Sequence, residues 1–404
     1  MARTLAALPA GSRITDFISL GVLARWFPRR TVDRVLRESG KSSRRQRDLP
    51  AHVVVYYVIA LALYMQSSYR EVLRCLLEGW QWLGGPPLKV ASDAGISQAR
   101  SRLGVEPLEK LHDEVVRPLA TNKTRGAFYR KWRLVSLDGS TLDVADQGAN
   151  REAFGYPGAS RGASACPQLR FVSLLENGTH VLFGSRLGPY ASGEITLAKQ
   201  VLPALEKGML CLADRNFLGY QLWRQAHQTG AQLLWRAKKR LRLEALERFP
   251  DGSYRSAIYA SEADWRKRRN PLAVRVIEYR LEGVADSEEL YRLVTTILDP
   301  AQAPAAELAA LYAERWEIES ALDELKTHLR GARMVLRSKT PELVRQEFYG
   351  LLMAHFAIRG LLHEAALQAD EDPDRLSYLH AVRVVRRKLA QAVAIPPSGQ
   401  TQVS

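Results

Sequence analysis

The hydrophobic pattern changes near Trp132, which divides the chain into a helical part and a mixed part. Between about residues 14 and 122, apolar residues recur at the spacing of amphipathic helices. Ser68 and Glu71 have the spacing of a capping box, in which each side chain satisfies the other residue's free backbone N–H, so a helix is predicted to begin there. Pro107 suits the first turn of another helix. This pattern predicts an all-helical N-terminal domain.

Beyond Trp132, short β-rich runs come first and then alternate with helical ones. Strands are predicted in the runs WRLVSLDGSTLDV (132–144), LRFVSLL (169–175) and THVLFGSRL (179–187). The pair Asn177-Gly178 between the last two runs predicts a hairpin. A helix, a strand, a second helix and a second strand follow as far as residue 237. The order β-β-β-α-β-α-β describes a mixed sheet flanked by helices, and therefore an α/β fold.

Residues 240–303 interrupt this order with charged segments that alternate polar and apolar residues, as half-buried antiparallel strands do. They predict a β-rich insertion. The pattern returns to helix over residues 304–330 and to apolar helices near 341–366, and the tail beyond Pro396 looks disordered. The pattern predicts a helical N-terminal domain (1–125), the first part of a mixed-sheet domain (126–239), the insertion (240–303), the last helices of the mixed-sheet domain (304–370) and a tail (371–404).

Composition narrows the class of protein. Of 404 residues, 46% are hydrophobic and 25% are charged, the balance of a folded globular protein. Three cysteines without metal-ligand spacing fit neither a disulfide framework nor a zinc motif, and they indicate a reducing compartment. The longest apolar run, Val53–Met65, has 13 residues, fewer than the roughly 18 that span a bilayer. We expect a cytoplasmic protein without a membrane segment.

The charge favours nucleic acid as the partner. Lys and Arg number 58 against 43 Asp and Glu, a net charge of +15. Residues 1–50 carry 11 of the basic residues and only 4 acidic ones. This stretch is either a solvated face or a DNA-contacting arm.

Three acidic residues lie at positions where acids are unusual. Asp138 and Asp214 each end an apolar strand, and Glu319 lies in a helix between Ile318 and Leu322. A lone Asp after a strand is more often a helix cap or turn residue, but two strand ends and a helical Glu together favour a common site. Neighbouring strands would bring Asp138 and Asp214 together, and clustered carboxylates suit Mg²⁺ or Mn²⁺. Two such ions can act on a phosphodiester.

The helix around Glu319 carries further candidates. At 100° per residue, Tyr312, Arg315, Glu319 and Lys326 fall within an arc of about 60°. We call these four residues the signature residues. One helix edge would then offer a carboxylate for metal and two cations for phosphate. The alternative is a surface helix in which Glu319 pairs with Arg315 at i−4.

Two tryptophans lie beside basic runs. The run Lys238–Arg240 follows Trp235, and Trp265 precedes the basic residues 266–269. An aromatic ring among basic residues suits a stacked or flipped-out base above a phosphate contact. A core Trp beside a solvated charge run is the alternative, and it is favoured for Trp235. Lys238 and Trp265 are therefore the candidate DNA contacts.

The signature residues, in YAERWEIESALDELK, resemble the Tyr-Arg-Glu-Lys signature of a large group of bacterial insertion-sequence transposases. The resemblance covers roughly residues 14 to 365. Three further regions agree with the same group in the same order: ISQARSRLGVEPLEKL (96–111), LDGSTLDV with NREAFG (150–155), and LADRNF (212–217).

The resemblance implies an RNase H-like catalytic domain with a β-rich insertion between the second Asp and the Glu. It implies that Asp138, Asp214 and Glu319 form the metal-binding catalytic triad, and that Tyr312, Arg315 and Lys326 contact DNA near the transposon end. The expected reaction is Mg²⁺-dependent cleavage at the transposon ends, with Mn²⁺ able to substitute, followed by strand transfer. The expected partners are double-stranded DNA, as terminal repeats and target, and a second copy of the chain in a synaptic homodimer. The alternatives are a metal nuclease of the same fold without strand transfer, and an inactive DNA-binding remnant.

Overall fold

The structure is a computed structural model, and it describes residues 18–43, 49–82, 89–158, 165–280, 290–332 and 334–387. Much of the predicted basic arm and the tail beyond Pro396 lie outside these residues. The helices of the described residues are α1 (Ile18–Trp26), α2 (Arg29–Glu38), α3 (Ala51–Leu63), α4 (Tyr69–Trp82), α5 (Asp93–Leu103), α6 (Glu106–Val115), α7 (Gly148–Phe154), α8 (Glu194–Val201), α9 (Tyr220–Gln228), α10 (Glu262–Arg266), α11 (Ala305–Leu311), α12 (Glu317–Asp323), α13 (Pro341–Ala369) and α14 (Tyr378–Arg387). The strands are β1 (Phe128–Tyr129), β2 (Trp132–Asp143), β3 (Gln168–Glu176), β4 (Val181–Pro189), β5 (Met209–Ala213), β6 (Gln232–Arg236), β7 (Glu247–Arg248), β8 (Tyr254–Ile258), β9 (Leu272–Tyr279) and β10 (Tyr291–Thr295).

Tertiary contacts divide the chain into two compact units. The described parts of Met1–Arg117, Leu142–Gln168 and Asp323–Ser404 form one, which we call the helical unit. Pro118–Thr141 and Leu169–Leu322 form the other, which we call the sheet unit. The boundaries of the functional domains inferred from the sequence stay a prediction.

The helical unit contains the predicted N-terminal helices together with the helices that follow residue 323. The backbone N–H of Glu71 bonds Ser68 Oγ at 3.2 Å, as expected of a capping residue before α4. Each residue of α3 from Val53 to Leu63 is buried, and α3 packs on α13. Gly350 allows that contact, because a Cβ there would lie 2.6 Å from the Val58 carbonyl oxygen. None of the helices in the described ranges combines the length and apolar character needed to cross a membrane.

The sheet unit is built on a mixed sheet in the order β4-β3-β2-β5-β6-β10-β9-β8-β7, with β1 paired to β2. Strands β2, β5 and β6 run parallel, and β3 and β4 form an antiparallel hairpin. Strand β10 pairs antiparallel with β6, so the β-rich segment predicted after residue 240 continues the same sheet. The predicted fold, an RNase H-like mixed sheet with added strands between Asp214 and Glu319, is confirmed.

The hairpin predicted from Asn177-Gly178 is present between β3 and β4. Glu176 pairs with Val181, so the connecting turn has four residues, Asn177–His180. Gly178 adopts a positive φ of 78°, which is the conformation that favours glycine in such turns.

The signature residues do not lie on one uniform α-helix, and that assumption of the sequence analysis is wrong. Helix α11 ends at Leu311, a 3₁₀ turn covers Tyr312–Trp316, α12 follows, and a π-helical turn covers Glu324–Leu329. Because a 3₁₀ helix has three residues per turn, Tyr312 and Arg315 lie directly above one another. Both side chains are buried.

Candidate active site

Asp138 and Asp214 directly follow the last paired residues of two neighbouring parallel strands. The register pairs Leu137 of β2 with Ala213 of β5. Asp138 is the next residue of β2, and Asp214 directly follows β5. The prediction that Asp138 ends its strand is wrong, because β2 continues to Asp143. The paired part of β2 and β5 stops just before both aspartates, so the two residues lie side by side.

The two aspartates also share a face of the sheet, because side chains alternate along a strand. Leu134 and Leu212 lie four and two residues before Asp138 and Asp214. Both leucines belong to the buried cluster that contains Leu308 of α11 and Tyr312. Helix α11 and Tyr312 therefore cover the apolar part of this face, and the two aspartates lie further along the same face.

Asp138 has a partly buried carboxylate, with 23% of its side chain exposed. Its Oδ1 accepts a hydrogen bond of 2.8 Å from the Gly139 backbone N–H. Burial raises the pKa of Asp138 to about 6, and the nearby Glu194 and Glu319 add to the rise, whereas the Gly139 bond and Arg315 oppose it. A nearby cation, such as Arg315, therefore stabilises the ionised form of Asp138.

Arg315 is the cation that two of the three carboxylates share. Its guanidinium nitrogens lie 3.5 Å from Asp138 Oδ2 and 3.3 Å from Glu319 Oε1, and its side chain is 8% exposed. The ion pair with Glu319 that the sequence offered as an alternative is therefore present. The additional contact with Asp138 attaches residues 312–319, which we call the signature segment, to β2.

Tyr312 links the signature segment to β5 through a hydrogen bond. Its hydroxyl donates to the Ala213 carbonyl at 3.2 Å, directly before Asp214. Burial raises the pKa of Tyr312 far above its usual value, and Asp214 adds to the rise. The ring is 7% exposed, so its hydroxyl is directed into the protein in this structure. Tyr312 thus links the signature segment to the strand that Asp214 follows.

Glu194, the first residue of α8, is a further acidic residue close to Asp138. A Cβ placed on Gly139 would lie 3.2 Å from Glu194 Cγ. The sequence analysis did not identify Glu194, because an acidic residue in the first turn of a helix is ordinary. Only the tertiary structure brings Glu194 close to Asp138 on β2.

The remaining predicted DNA contacts have different environments. Lys238 is exposed just beyond the carboxyl end of β6. The Arg242 guanidinium lies 3.3 Å from the centroid of the partly buried Trp265 ring, and that of Arg268 lies 5.4 Å from it. Lys326 is partly buried in the π-helical turn of the helical unit.

The donor set of the sheet unit fits divalent metal. The Arg315 guanidinium contacts both Asp138 and Glu319, so one cationic group already balances the charge of both carboxylates. Asp214 adds a third carboxylate from the adjacent strand. Carboxylate oxygens are the hard ligands that Mg²⁺ and Mn²⁺ prefer.

Comparison with known proteins shows the family to which the chain belongs. Residues 130–357, more than half of the chain, match the transposase DDE domain family, and residues 17–113 match the family of insertion element 4 transposase N-terminal regions. Transposase InsG for insertion sequence element IS4 of Escherichia coli K12 is 26% identical over 364 residues, which cover 89% of this chain and 80% of InsG. Putative transposase InsZ of the same organism is 24% identical over 218 residues, which cover 54% of this chain and 71% of InsZ.

Among solved structures, a piggyBac transposase synaptic complex with hairpin DNA, determined by cryo-EM, has a TM-score of 0.48 at 8% identity. The match covers 95% of this chain and 82% of that one. A likeness at this level carries no argument. The family match over the residues that contain all three carboxylates is the finding that identifies the domain, and the chain belongs to the transposase DDE domain family.

Proposed function

We propose that this protein cuts DNA at the ends of its own insertion element and joins the freed ends to target DNA. The observation that carries the proposal is the placement of three acidic residues in the sheet unit. Asp138 and Asp214 directly follow the paired parts of the adjacent parallel strands β2 and β5, and Glu319 shares the Arg315 guanidinium with Asp138. We assign these three carboxylates as the catalytic triad and metal ligands.

The chain's own residues hold and orient the reacting groups. Asp138, Asp214 and Glu319 would bind two Mg²⁺ ions, for which Mn²⁺ can substitute. When bound, these ions supply Lewis acids that activate the attacking oxygen and stabilise the leaving oxygen of the phosphodiester. The first attack, by water, frees a 3′-hydroxyl, and that hydroxyl then attacks the target DNA.

The basic and aromatic residues would position the DNA. We assign Arg315, Lys326 and Lys238 to phosphates of double-stranded DNA, in the terminal repeats or the target, and Trp265 to a base. Tyr312 would act mainly by fixing the signature segment, since its hydroxyl bonds the Ala213 carbonyl. We propose that the protein belongs to the Tyr-Arg-Glu-Lys group of insertion-sequence transposases. We propose a homodimer in the synaptic complex and a cytoplasmic, nucleoid-associated location.

Single-turnover cleavage of a labelled duplex that carries the element's terminal repeat tests the proposal. Asp214→Asn should abolish Mg²⁺-dependent cleavage and leave DNA binding largely intact. Asp299→Asn is the matched control, because Asp299 also follows a strand but is exposed and bonds the Ala301 backbone N–H. Substantial cleavage by Asp214→Asn would refute the triad.

A second assay separates the alternatives. Duplexes with pre-cut ends should be joined to a supercoiled target plasmid by the wild-type protein. Cleavage without joining would identify a metal nuclease of the same fold. Binding without either reaction would identify an inactive remnant.

A further inference from the structure

Asn177, in the turn between β3 and β4, joins β2 to the signature segment. The side chain is fully buried. Its Nδ2 donates to the Glu314 carbonyl at 2.7 Å, and its Oδ1 accepts from Ser136 Oγ at 2.9 Å. Its backbone N–H bonds the Leu134 carbonyl at 3.1 Å. Only this orientation of the amide serves both partners, because the Glu314 carbonyl requires a donor.

Both ends of this bridge lie next to site residues. Ser136 is two residues before Asp138 on β2, and therefore on the same face of the strand. Glu314 directly precedes Arg315 in the 3₁₀ turn. The Asn177 side chain thus spans from the strand of one carboxylate to the segment that carries the other.

A second hydrogen bond reinforces the contact. The Gly178 backbone N–H donates to Glu317 Oε2 at 2.6 Å, two residues before Glu319. On its other side, Gly178 lies against backbone, because an added Cβ would be 2.8 Å from both Ala127 N and Arg125 O. The turn is therefore confined between residues 125–127 and the signature segment.

The base of the turn is anchored by Glu176, whose side chain is fully buried. Its carboxylate accepts bonds from the backbone N–H groups of Leu119 at 2.6 Å and Ala120 at 2.9 Å. It also accepts a bond from Thr179 Oγ1 at 2.6 Å and pairs with Arg133. A buried carboxylate satisfied by four partners is a firm anchor, so Asn177 projects from a turn that cannot easily shift.

We propose that Asn177 is a positioning residue for the site, which sets the separation between Asp138 and the segment that carries Arg315 and Glu319. It touches neither DNA nor the reacting atoms. Sites of this kind must be held to within about 0.5 Å, and a displacement of about 1 Å can lower a rate about a hundredfold. The inference rests on the proposed function, since it assumes that the carboxylates bind metal.

Two substitutions test the bridge. Asn177→Ala removes both side-chain bonds, whereas Asn177→Asp keeps the acceptor for Ser136 and sets an oxygen against the Glu314 carbonyl. The matched control is Ser173→Ala, which removes a buried 2.6 Å bond to Ser185 in the same hairpin. Neither serine contacts β2 or the signature segment through that bond, so the control reproduces a loss of stability without loss of the bridge.

Two readouts distinguish positioning from stability alone. At saturating DNA and at a temperature where all variants are folded, Asn177→Ala should cleave roughly tenfold to a hundredfold more slowly, with unchanged DNA affinity. Without DNA, Mn²⁺ binding followed by electron paramagnetic resonance should weaken several-fold, and Asn177→Asp should behave similarly. Ser173→Ala should match the wild type in both readouts.

Equal Mn²⁺ affinity in Asn177→Ala and Ser173→Ala, together with equal cleavage, would overturn the inference. A wild-type protein that binds Mn²⁺ but neither cuts nor joins DNA would instead refute the proposed function. The Mn²⁺ comparison still decides the bridge in that case: weaker binding in Asn177→Ala supports it, and equal binding refutes it.

Discussion

Arg315 contacts two of the carboxylates that we propose as metal ligands, so its replacement should move metal binding and DNA cleavage in opposite directions. Its guanidinium is 3.5 Å from Asp138 and 3.3 Å from Glu319. Methionine fills a similar volume without the charge. In Arg315→Met the two carboxylates lose their shared cation and should attract a divalent ion more strongly. The DNA contact assigned to Arg315 is lost at the same time.

The distances set the size of the effect. At an effective dielectric constant of about 20, each contact corresponds to a gross attraction of about 5 kcal/mol. Burial of Arg315 has a desolvation cost, and 48% of the Glu319 side chain is exposed, so most of that attraction is offset or screened. Contacting charged groups couple by about 0.5–3 kcal/mol in practice. A net effect of about 1.4 kcal/mol would tighten Mn²⁺ binding about tenfold, while cleavage falls about a hundredfold.

Calorimetric titration with Mn²⁺ without DNA, beside single-turnover cleavage, measures both quantities. A pH of about 8 keeps Asp138 ionised in spite of its raised pKa. Arg224→Met is the control for net charge, because Arg224 bonds Gln221 on α9 and no carboxylate of the site. Unchanged or weaker Mn²⁺ binding in Arg315→Met would refute the electrostatic argument, and wild-type cleavage would refute the assignment of Arg315 to DNA.

Two further predictions concern stability. Tyr312→Phe removes the hydroxyl bond to the Ala213 carbonyl and should lower the free energy of unfolding by about 1 kcal/mol in urea denaturation, with a modest loss of cleavage; unchanged stability would show that this bond is not formed in solution. Gly350→Ala should destabilise the protein by about 1–3 kcal/mol, because its Cβ would be 2.6 Å from the Val58 carbonyl oxygen. Gly21→Ala, in α1 with open space around it, should stabilise by about 0.5–1 kcal/mol, and equal effects of the two alanines would contradict the packing.

The sequence predicted the central part of the sheet well, because its strands are buried apolar runs. The runs that precede Asp138 and Asp214 are the first half of β2 and the whole of β5, and their residues are almost all buried. A short apolar run followed by a single acid is readable in one dimension. The positions of the two aspartates directly after these runs followed from it, whereas the continuation of β2 to Asp143 did not.

The long-range pairing of strands and the local type of helix could not be predicted from the sequence. The alternation in β10 predicts a strand but does not specify that it pairs with β6 and extends the sheet. The 3₁₀ turn at Tyr312–Trp316 depends on tertiary contacts, since Arg315 reaches Asp138, which is far away in sequence. The Asn177-Gly178 pair predicted a turn, but the residue types do not reveal that the Asn side chain bonds to β2 and to the 3₁₀ turn.

The two tryptophans beside basic runs show why residue type alone does not define a DNA contact. Trp235 is fully buried in β6, a central strand, and packs edge to face on Trp223 at 5.2 Å. Trp265 lies in the short helix α10, where Arg242 covers its ring. The local sequences are similar, but β6 lies between β5 and β10 in the sheet, whereas α10 contributes no buried residue. A base that stacks on the ring face covered by Arg242 must displace that guanidinium, whereas the Trp235 ring is enclosed by the core. The position of an aromatic ring in the sheet order, more than the charges beside it, decides whether DNA can contact it.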